Sequence, residues 1–218
     1  QAKYLFKVMR LKVGQFLLVI DGKTGEYLAE IIEKKDKTGK IRICSKTKSL
    51  IFPPDLWLLF SPLKKTKTDF IIEKATELGV KRVLPIITSR TISKRIRTNR
   101  FRTIMVESLE QCGGTYLPKI DEPINLRDLI STWPQERHLI FCDENLVGES
   151  ALGSFDQLKG KKCAGILIGP EGGFSKDEGL LIRGNKLTTS VTLGPRILRA
   201  ETAAISAISI WKSVNEQY

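Results

Sequence analysis

Two short segments near the C-terminus combine glycine, proline and charged side chains in a way that suits a ligand pocket. The first is Gly169-Pro170-Glu171-Gly172-Gly173-Phe174-Ser175, and the second is Gly194-Pro195-Arg196-Ile197-Leu198-Arg199-Ala200-Glu201-Thr202. Each follows an apolar run, Ile166-Leu167-Ile168 and Val191-Thr192-Leu193, and so reads as a buried strand that stops at Gly-Pro. Ligands of open α/β sheets bind at the carboxyl ends of the strands, so two such loops imply one shared pocket. Arg199 stays cationic and offers planar donors. Glu201 is a carboxylate able to accept a proton. The same two side chains could instead pair with each other and fix the loop.

The pocket's guest is bounded by what the loops lack. The first loop has no Lys-Ser/Thr ending, so it is not a P-loop, and it is not G-x-G-x-x-G. Glu171 would repel a phosphate set against the loop. A nucleoside without phosphate fits better, with backbone groups on the base edge and apolar side chains around the ring. The four cysteines, Cys44, Cys112, Cys142 and Cys163, form no C-x-x-C pair, and His138 is the one histidine. No zinc site is expected, and the scattered cysteines read as reduced core residues.

The elements that must position these loops follow from periodicity. Residues 1–54 look β-rich, with strands at 16–20, 27–32 and 41–44 separated by Asp21-Gly22-Lys23-Thr24-Gly25 and by a Lys-rich turn. Closely spaced strands of this kind suggest a small barrel or meander, and Pro53-Pro54 marks a break. From Leu56 the pattern changes to strands at 56–60, 83–87, 138–142, 164–168 and 190–193, alternating with helices at 68–78, 98–111 and 200–214. Such alternation implies an α/β domain over 55–218 with a mostly parallel sheet. Ser175-Lys176-Asp177-Glu178 is a capping box that opens a helix directly after the first loop. Ala203, Ala204, Ala207 and Ile208 give the last helix a small-residue face, suited to sheet packing or to a subunit interface.

Charge narrows the partner. Lys and Arg total 36 against 24 acidic residues, a net +12. A surplus this large favours a polyanion, because neutralising phosphates releases counterions. The basic residues expected to meet RNA are Arg10, Lys12, Lys64, Lys67, Arg90, Lys94, Arg95 and Arg196, with the densest cluster running from Arg90 to Arg102. No apolar run reaches the roughly 18 residues of a membrane span. The first residues are too charged for a signal peptide, so a cytoplasmic location is expected.

Together these segments resemble one family. Leu167 to Ser175 and Leu193 to Ala203, with Lys74-Ala75-Thr76-Glu77-Leu78-Gly79-Val80, Glu110-Gln111-Cys112-Gly113-Gly114 and the stretch from Val8 to Gln15, are similar to the RsmE family of bacterial 16S ribosomal RNA methyltransferases. The resemblance covers nearly the whole chain. Thr88-Ser89-Arg90-Thr91 departs from the family's Glu-Arg-Ser pattern, the 95–102 region is shortened, and the first strand is expected to be incomplete at its start. The resemblance implies a PUA-like RNA-binding barrel over 1–54 and a SPOUT domain with a trefoil knot over 55–218. It also implies a homodimer, S-adenosylmethionine (SAM) as cofactor with S-adenosylhomocysteine as product, no metal, and methylation of a uridine at N3 in 16S rRNA or the small ribosomal subunit.

On that reading Gly169, Gly172, Gly173 and Gly194 admit the cofactor, and Leu167, Leu193, Ile197 and Leu198 enclose its adenosine. Thr202 caps the last helix or bonds the cofactor. Arg199 supports the charge that forms as uridine loses its N3 proton, and Glu201 accepts that proton. Cys112 is expected to be packed rather than nucleophilic. The alternatives are a SPOUT enzyme acting on another RNA and a non-catalytic RNA-binding protein on the same fold.

Overall fold

The computed structural model describes residues 2–93, 96–145, 149–160 and 163–215. They fall into two compact units, one of residues 1–52 with 113–117 and the other of residues 53–112 with 118–218. The first unit thus includes a stretch that the sequence reading assigned to the second.

In the first unit a π-type helical turn over Tyr4–Val8 precedes three strands, β1 (Phe16–Ile20), β2 (Gly25–Lys34) and β3 (Gly39–Ser49). They form an antiparallel meander in the order β1-β2-β3. The β1–β2 turn forms because Asp21 accepts hydrogen bonds from the backbone N–H groups of Lys23 and Thr24 and from the Thr24 hydroxyl. Those bonds, the Thr24 hydroxyl first, hold the Asp21 carboxyl far below the ordinary carboxylate range. Register shifts along β2–β3 mark bulges, which bend and twist a strand. Ala29 and Ile31 of β2 are fully buried. The 113–117 stretch joins through Thr115, whose hydroxyl accepts from Ile51 N at 2.9 Å, and through Leu117 N, which donates to Gly22 O at 3.2 Å.

The second unit contains β4 (Asp55–Phe60), α1 (Lys65–Glu77), β5 (Arg82–Ile87), α2 (Thr98–Cys112), β6 (Lys119–Ile120), β7 (Ile124–Asn125) and α3 (Leu126–Ser131). It continues with β8 (His138–Cys142), β9 (Glu149–Ser150), α4 (Ala151–Gln157), β10 (Cys163–Ile168), α5 (Lys176–Arg183), β11 (Thr188–Thr192) and α6 (Ala200–Asn215). The strands lie in the order β6-β5-β4-β10-β8-β11-β9, with β7 also pairing with β5. Among the described residues every pairing in this sheet is parallel. Central strands of such sheets are buried on both faces and carry continuous apolar runs, as Leu58-Leu59-Phe60 and Ile166-Leu167-Ile168 do.

Helices cover both faces. Leu126, Leu129 and Ile130 of α3 and Ile182 of α5 pack with Leu59, Leu84, Ile86, Leu139, Phe141 and Leu167 in one cluster. On the opposite face α6 packs against β10, α1 and α4. Its inward residues are Ala204, Ala207, Ile208 and Trp211, at the i, i+3, i+4, i+7 spacing of a helix stripe. The capping box at Ser175 is present in full. Its hydroxyl accepts from Glu178 N, and the Glu178 carboxylate accepts from Ser175 N.

Several boundaries differ from expectation. The first helix begins at Lys65 rather than at residue 68: Lys67 N and Thr68 N already donate to Lys64 O, and the Thr68 hydroxyl ties the first turn back to Leu63 N and Leu63 O. The last strand is Thr188–Thr192, so Leu193 leaves the sheet. The short elements β6, β7, β9, α3 and α4 carry too few residues for periodicity to reveal. Cys44 and Cys112 are exposed and Cys163 is half-buried, so only Cys142 is the buried core cysteine expected. Cys44 sits on β3, which is exposed along its whole length, and period-two alternation there does not signal a covered face.

Candidate functional site

The two Gly-Pro loops line one cleft of about 680 Å³. It lies at the carboxyl edge of the sheet, where the chain leaves β8, β10 and β11. Pro170 to Phe174 line it from the first loop, Leu193 and Arg196 to Ala200 from the second, and Asp143, Glu144 and Asn145 from the turn after β8. Lys67 from the first turn of α1 and Arg90 after β5 complete it.

Local chemistry shapes the first loop. Gly173 N donates to Pro170 O at 2.9 Å, closing a tight turn. Gly173 has φ +67°, and a Cβ there would overlap the Glu144 carboxylate. At Gly169 a Cβ would stand 2.7 Å from the Phe174 ring. Phe174 itself packs edge-on against Phe141, with ring centroids 5.3 Å apart. Thus the loop returns its aromatic to the core and leaves its backbone facing the cleft. In the second loop Gly194 has φ +116°, and its carbonyl accepts from the Thr192 hydroxyl at 3.0 Å.

The charged groups are unevenly paired. Lys67 forms an ion pair with Glu171 and stands 3.8 Å from Glu201 Oε1. The Lys67 ammonium holds the Glu171 carboxyl below the ordinary range, with smaller attractions from Lys64 and Arg199. Glu201 is 15% exposed, and its Oε2 is buried without a hydrogen-bond partner among the described residues. Such a carboxylate oxygen has unused acceptor capacity. Arg196 and Arg199 are exposed on the second loop, and no ion pair to either is present among the described residues. Asp143 is buried and paired with Arg183. Burial pushes the Cys142 thiol up to about 12, which removes it as a thiolate nucleophile at neutral pH.

Set beside the sequence expectations, Gly169, Gly172, Gly173, Leu193, Ile197, Leu198, Arg196 and Arg199 all line the cleft. Leu167 does not. It is fully buried in the core cluster, on the sheet face covered by α3 and α5, and the next residue, Ile168, lines the cleft instead. Strand alternation and the position of the strand end decide this. Gly194 lies between lining residues, and Thr202 is exposed in the first turn of α6 outside the lining. Arg199 and Glu201 do not form the mutual ion pair considered above; Glu201 approaches Lys67.

Among the residues expected to meet RNA, Lys67 and Arg90 turn inward to the first loop. Lys67 pairs with Glu171, and Arg90 Nη1 donates to Gly172 O at 2.6 Å. Arg10, Lys12 and Lys64 are exposed, while Lys94 and Arg95 lie outside the described residues. Sequence reasoning overlooked Asp143, Glu144 and Asn145. The available signal was an apolar strand, His138 to Cys142, ending in a polar turn at the same sheet edge.

The RNA methyltransferase domain family matches residues 52–212, and the RNA methyltransferase PUA domain matches residues 1–44. Ribosomal RNA small subunit methyltransferase E of Rickettsia conorii is 31% identical over 206 residues, covering 94% of this chain and 84% of that protein. The Aquifex aeolicus protein of the same name is 32% identical over 211 residues, covering 94% and 88%. Among solved structures, ribosomal RNA small subunit methyltransferase E from Neisseria gonorrhoeae, bound to S-adenosyl methionine, matches with a TM-score of 0.85 at 26% identity, covering 97% of this chain and 88% of that one. A Legionella pneumophila protein in complex with the bound cofactor SAM gives a TM-score of 0.88 at 27% identity, covering 98% and 89%. The family matches across both units, with relatives above 30% identical over 94% of the chain, establish that the chain belongs to the RNA methyltransferase family, alongside ribosomal RNA small subunit methyltransferase E.

Proposed function

We propose that the protein methylates a uridine of 16S rRNA at N3, using SAM held in the cleft between the two Gly-Pro loops. The observation that carries this reading is the cleft itself. It combines glycine-lined backbone, an apolar wall of Leu193, Ile197 and Leu198, and two exposed arginines without carboxylate partners among the described residues. These residues fit a nucleoside-type cofactor. Glycine at 169 and 173 lets Phe174 and Glu144 pack tightly against the first loop, so that the loop borders the cleft with backbone, and the loop bears no phosphate-binding lysine motif. Residues 169–174 and 193–198 would hold SAM, which when bound supplies an electrophilic methyl group.

The chain's own residues then have two tasks. Uridine N3 has no free lone pair until its proton leaves, and the resulting negative charge spreads over the base oxygens. Arg199 offers a planar guanidinium and offsets that charge at the cleft wall. Glu201 accepts the N3 proton, directly or through water, on the carboxylate oxygen that has no partner among the described residues. Positioning of base against cofactor carries much of the remaining rate. Arg196, Lys64, Arg10 and Lys12 contact phosphates, and recognition of structured RNA rests on shape and backbone more than on base edges.

The reading extends to a cytoplasmic enzyme that acts as a homodimer with a knotted cofactor domain, features that the family resemblance supports. Sedimentation measurements check the dimer. The deciding experiment supplies the purified protein with SAM and either 16S rRNA or small subunits, then digests the RNA and identifies nucleosides by mass. N3-methyluridine at one site is expected. Methylation of another base or of ribose would favour a related RNA methyltransferase, and SAM binding without product would favour an RNA-binding role.

A further inference from the structure

The first Gly-Pro loop contains two adjacent glycines, whose peptide planes turn over at small steric cost. Both sides of Gly173 are nevertheless tied. On one side Gly172 O accepts from Arg90 Nη1 at 2.6 Å. On the other, Phe174 N donates to Glu144 Oε1 at 2.7 Å. A cation therefore holds a carbonyl and an anion holds the next N–H but one. Flipping either peptide would give up a charge-assisted bond, the stronger kind of hydrogen bond.

The two side chains arrive from different strand ends, and the turn that carries Arg90 is itself braced. Arg90 sits on a turn in which Thr88 N donates to Thr91 Oγ1 at 2.8 Å, while the Thr91 and Ser61 hydroxyls bond at 2.7 Å. Its neighbour Ser89 donates from N and Oγ to the Glu178 carboxylate, at 2.7 and 2.8 Å. Glu178 belongs to the capping box immediately after the loop. The aliphatic part of Arg90 also lies along the loop, with Cδ 3.6 Å from where a Cβ on Gly172 would stand.

We propose that Arg90 and Glu144 are positioning residues that together select the cofactor-receiving orientation of the backbone at 172–174. This rests on the SAM reading above, and it moves Arg90 from the RNA surface to the support of the cofactor loop. The test compares Arg90→Met, which keeps most of the stem, Glu144→Ala and the double variant. Each is titrated with S-adenosylhomocysteine by calorimetry, and with a 16S rRNA fragment in the absence of cofactor.

Each single variant is expected to weaken S-adenosylhomocysteine about tenfold. The double variant should weaken it less than the product of the two, because both bonds hold one backbone state. RNA affinity of Arg90→Met should stay within about twofold, with an unchanged salt slope. In assays, KM for SAM should rise more than kcat falls. Arg90→Lys, which keeps the charge without the planar fork, should recover part of the loss. Glu144→Gln, which keeps an acceptor oxygen, should bind better than Glu144→Ala.

Unaltered cofactor binding in Arg90→Met would overturn the proposal. So would a loss of RNA affinity in that variant without a loss for cofactor, or equal losses in Glu144→Gln and Glu144→Ala. If the unsubstituted protein fails to bind S-adenosylhomocysteine at millimolar concentration, the cofactor reading itself falls and takes this one with it.

Discussion

At the scale of single residues, Glu201, which stands beside Lys67 and outside the cleft lining, differs from the carboxylates that line the cleft. Glu171 is engaged by Lys67 and Asp143 by Arg183, and Glu144 accepts from Phe174 N. Glu201 retains an oxygen with no partner among the described residues. If that oxygen takes the N3 proton, Glu201→Gln should lower single-turnover methyl transfer by roughly 10²-fold or more. Its S-adenosylhomocysteine affinity should change by less than about twofold. Full activity in that variant would exclude the base role. Leu167 makes a complementary case. Its place in the core predicts that Leu167→Ala costs about 2–5 kcal/mol in denaturant unfolding, with cofactor affinity retained in the folded fraction. A selective loss of cofactor binding at wild-type stability would return Leu167 to the cleft.

At the scale of elements, the start of α5 joins the first loop to the turn after β5. Glu178 is central, accepting from Ser175 and Ser89. Burial raises its carboxyl pKa, but the hydrogen bonds from Ser175 and Ser89 together outweigh this, so the net value lies below the ordinary one. A folded-state pKa below the unfolded one gives stability that is present above the unfolded value, about 4.3 for Glu. That stability is lost as pH falls through the folded value. Unfolding measured from pH 7 downward should therefore show a loss below about pH 4 that is smaller in Glu178→Gln. Identical acid profiles would contradict the assignment. The capping box itself was legible as Ser-x-x-Glu. Its second duty, holding Ser89, was not, because the two residues are distant in sequence and meet only across the sheet edge.

At the scale of the whole molecule, the net charge of +12 sets how the protein meets its substrate. Affinity for 16S rRNA fragments should fall linearly in log–log form as salt rises, with several phosphate contacts contributing to the slope. A flat dependence, measured by filter binding at two or more salt concentrations, would contradict an electrostatic docking surface. Among the described residues no helix is long and apolar enough to cross a membrane. The parallel sheet carries the cleft because successive strand ends deliver α1, the Arg90 turn, the 143–145 turn and both Gly-Pro loops to one edge.

By itself the sequence determined the two strands that lead into the Gly169 and Gly194 loops, the helix capped by Ser175 and the cationic balance, because each is written in local composition and spacing. It also pointed to the family through long contiguous motifs. Only the tertiary structure decided which way side chains face. It drew Lys67 and Arg90 to the first loop, sent Leu167 to the core, and brought Asp143, Glu144 and Asn145 to the cleft. A lysine or arginine reads as a surface charge until a carboxylate or carbonyl from a distant segment is placed beside it. That placement is fixed by strand order, which pairs β10 with β4 and β8 and which no local pattern encodes.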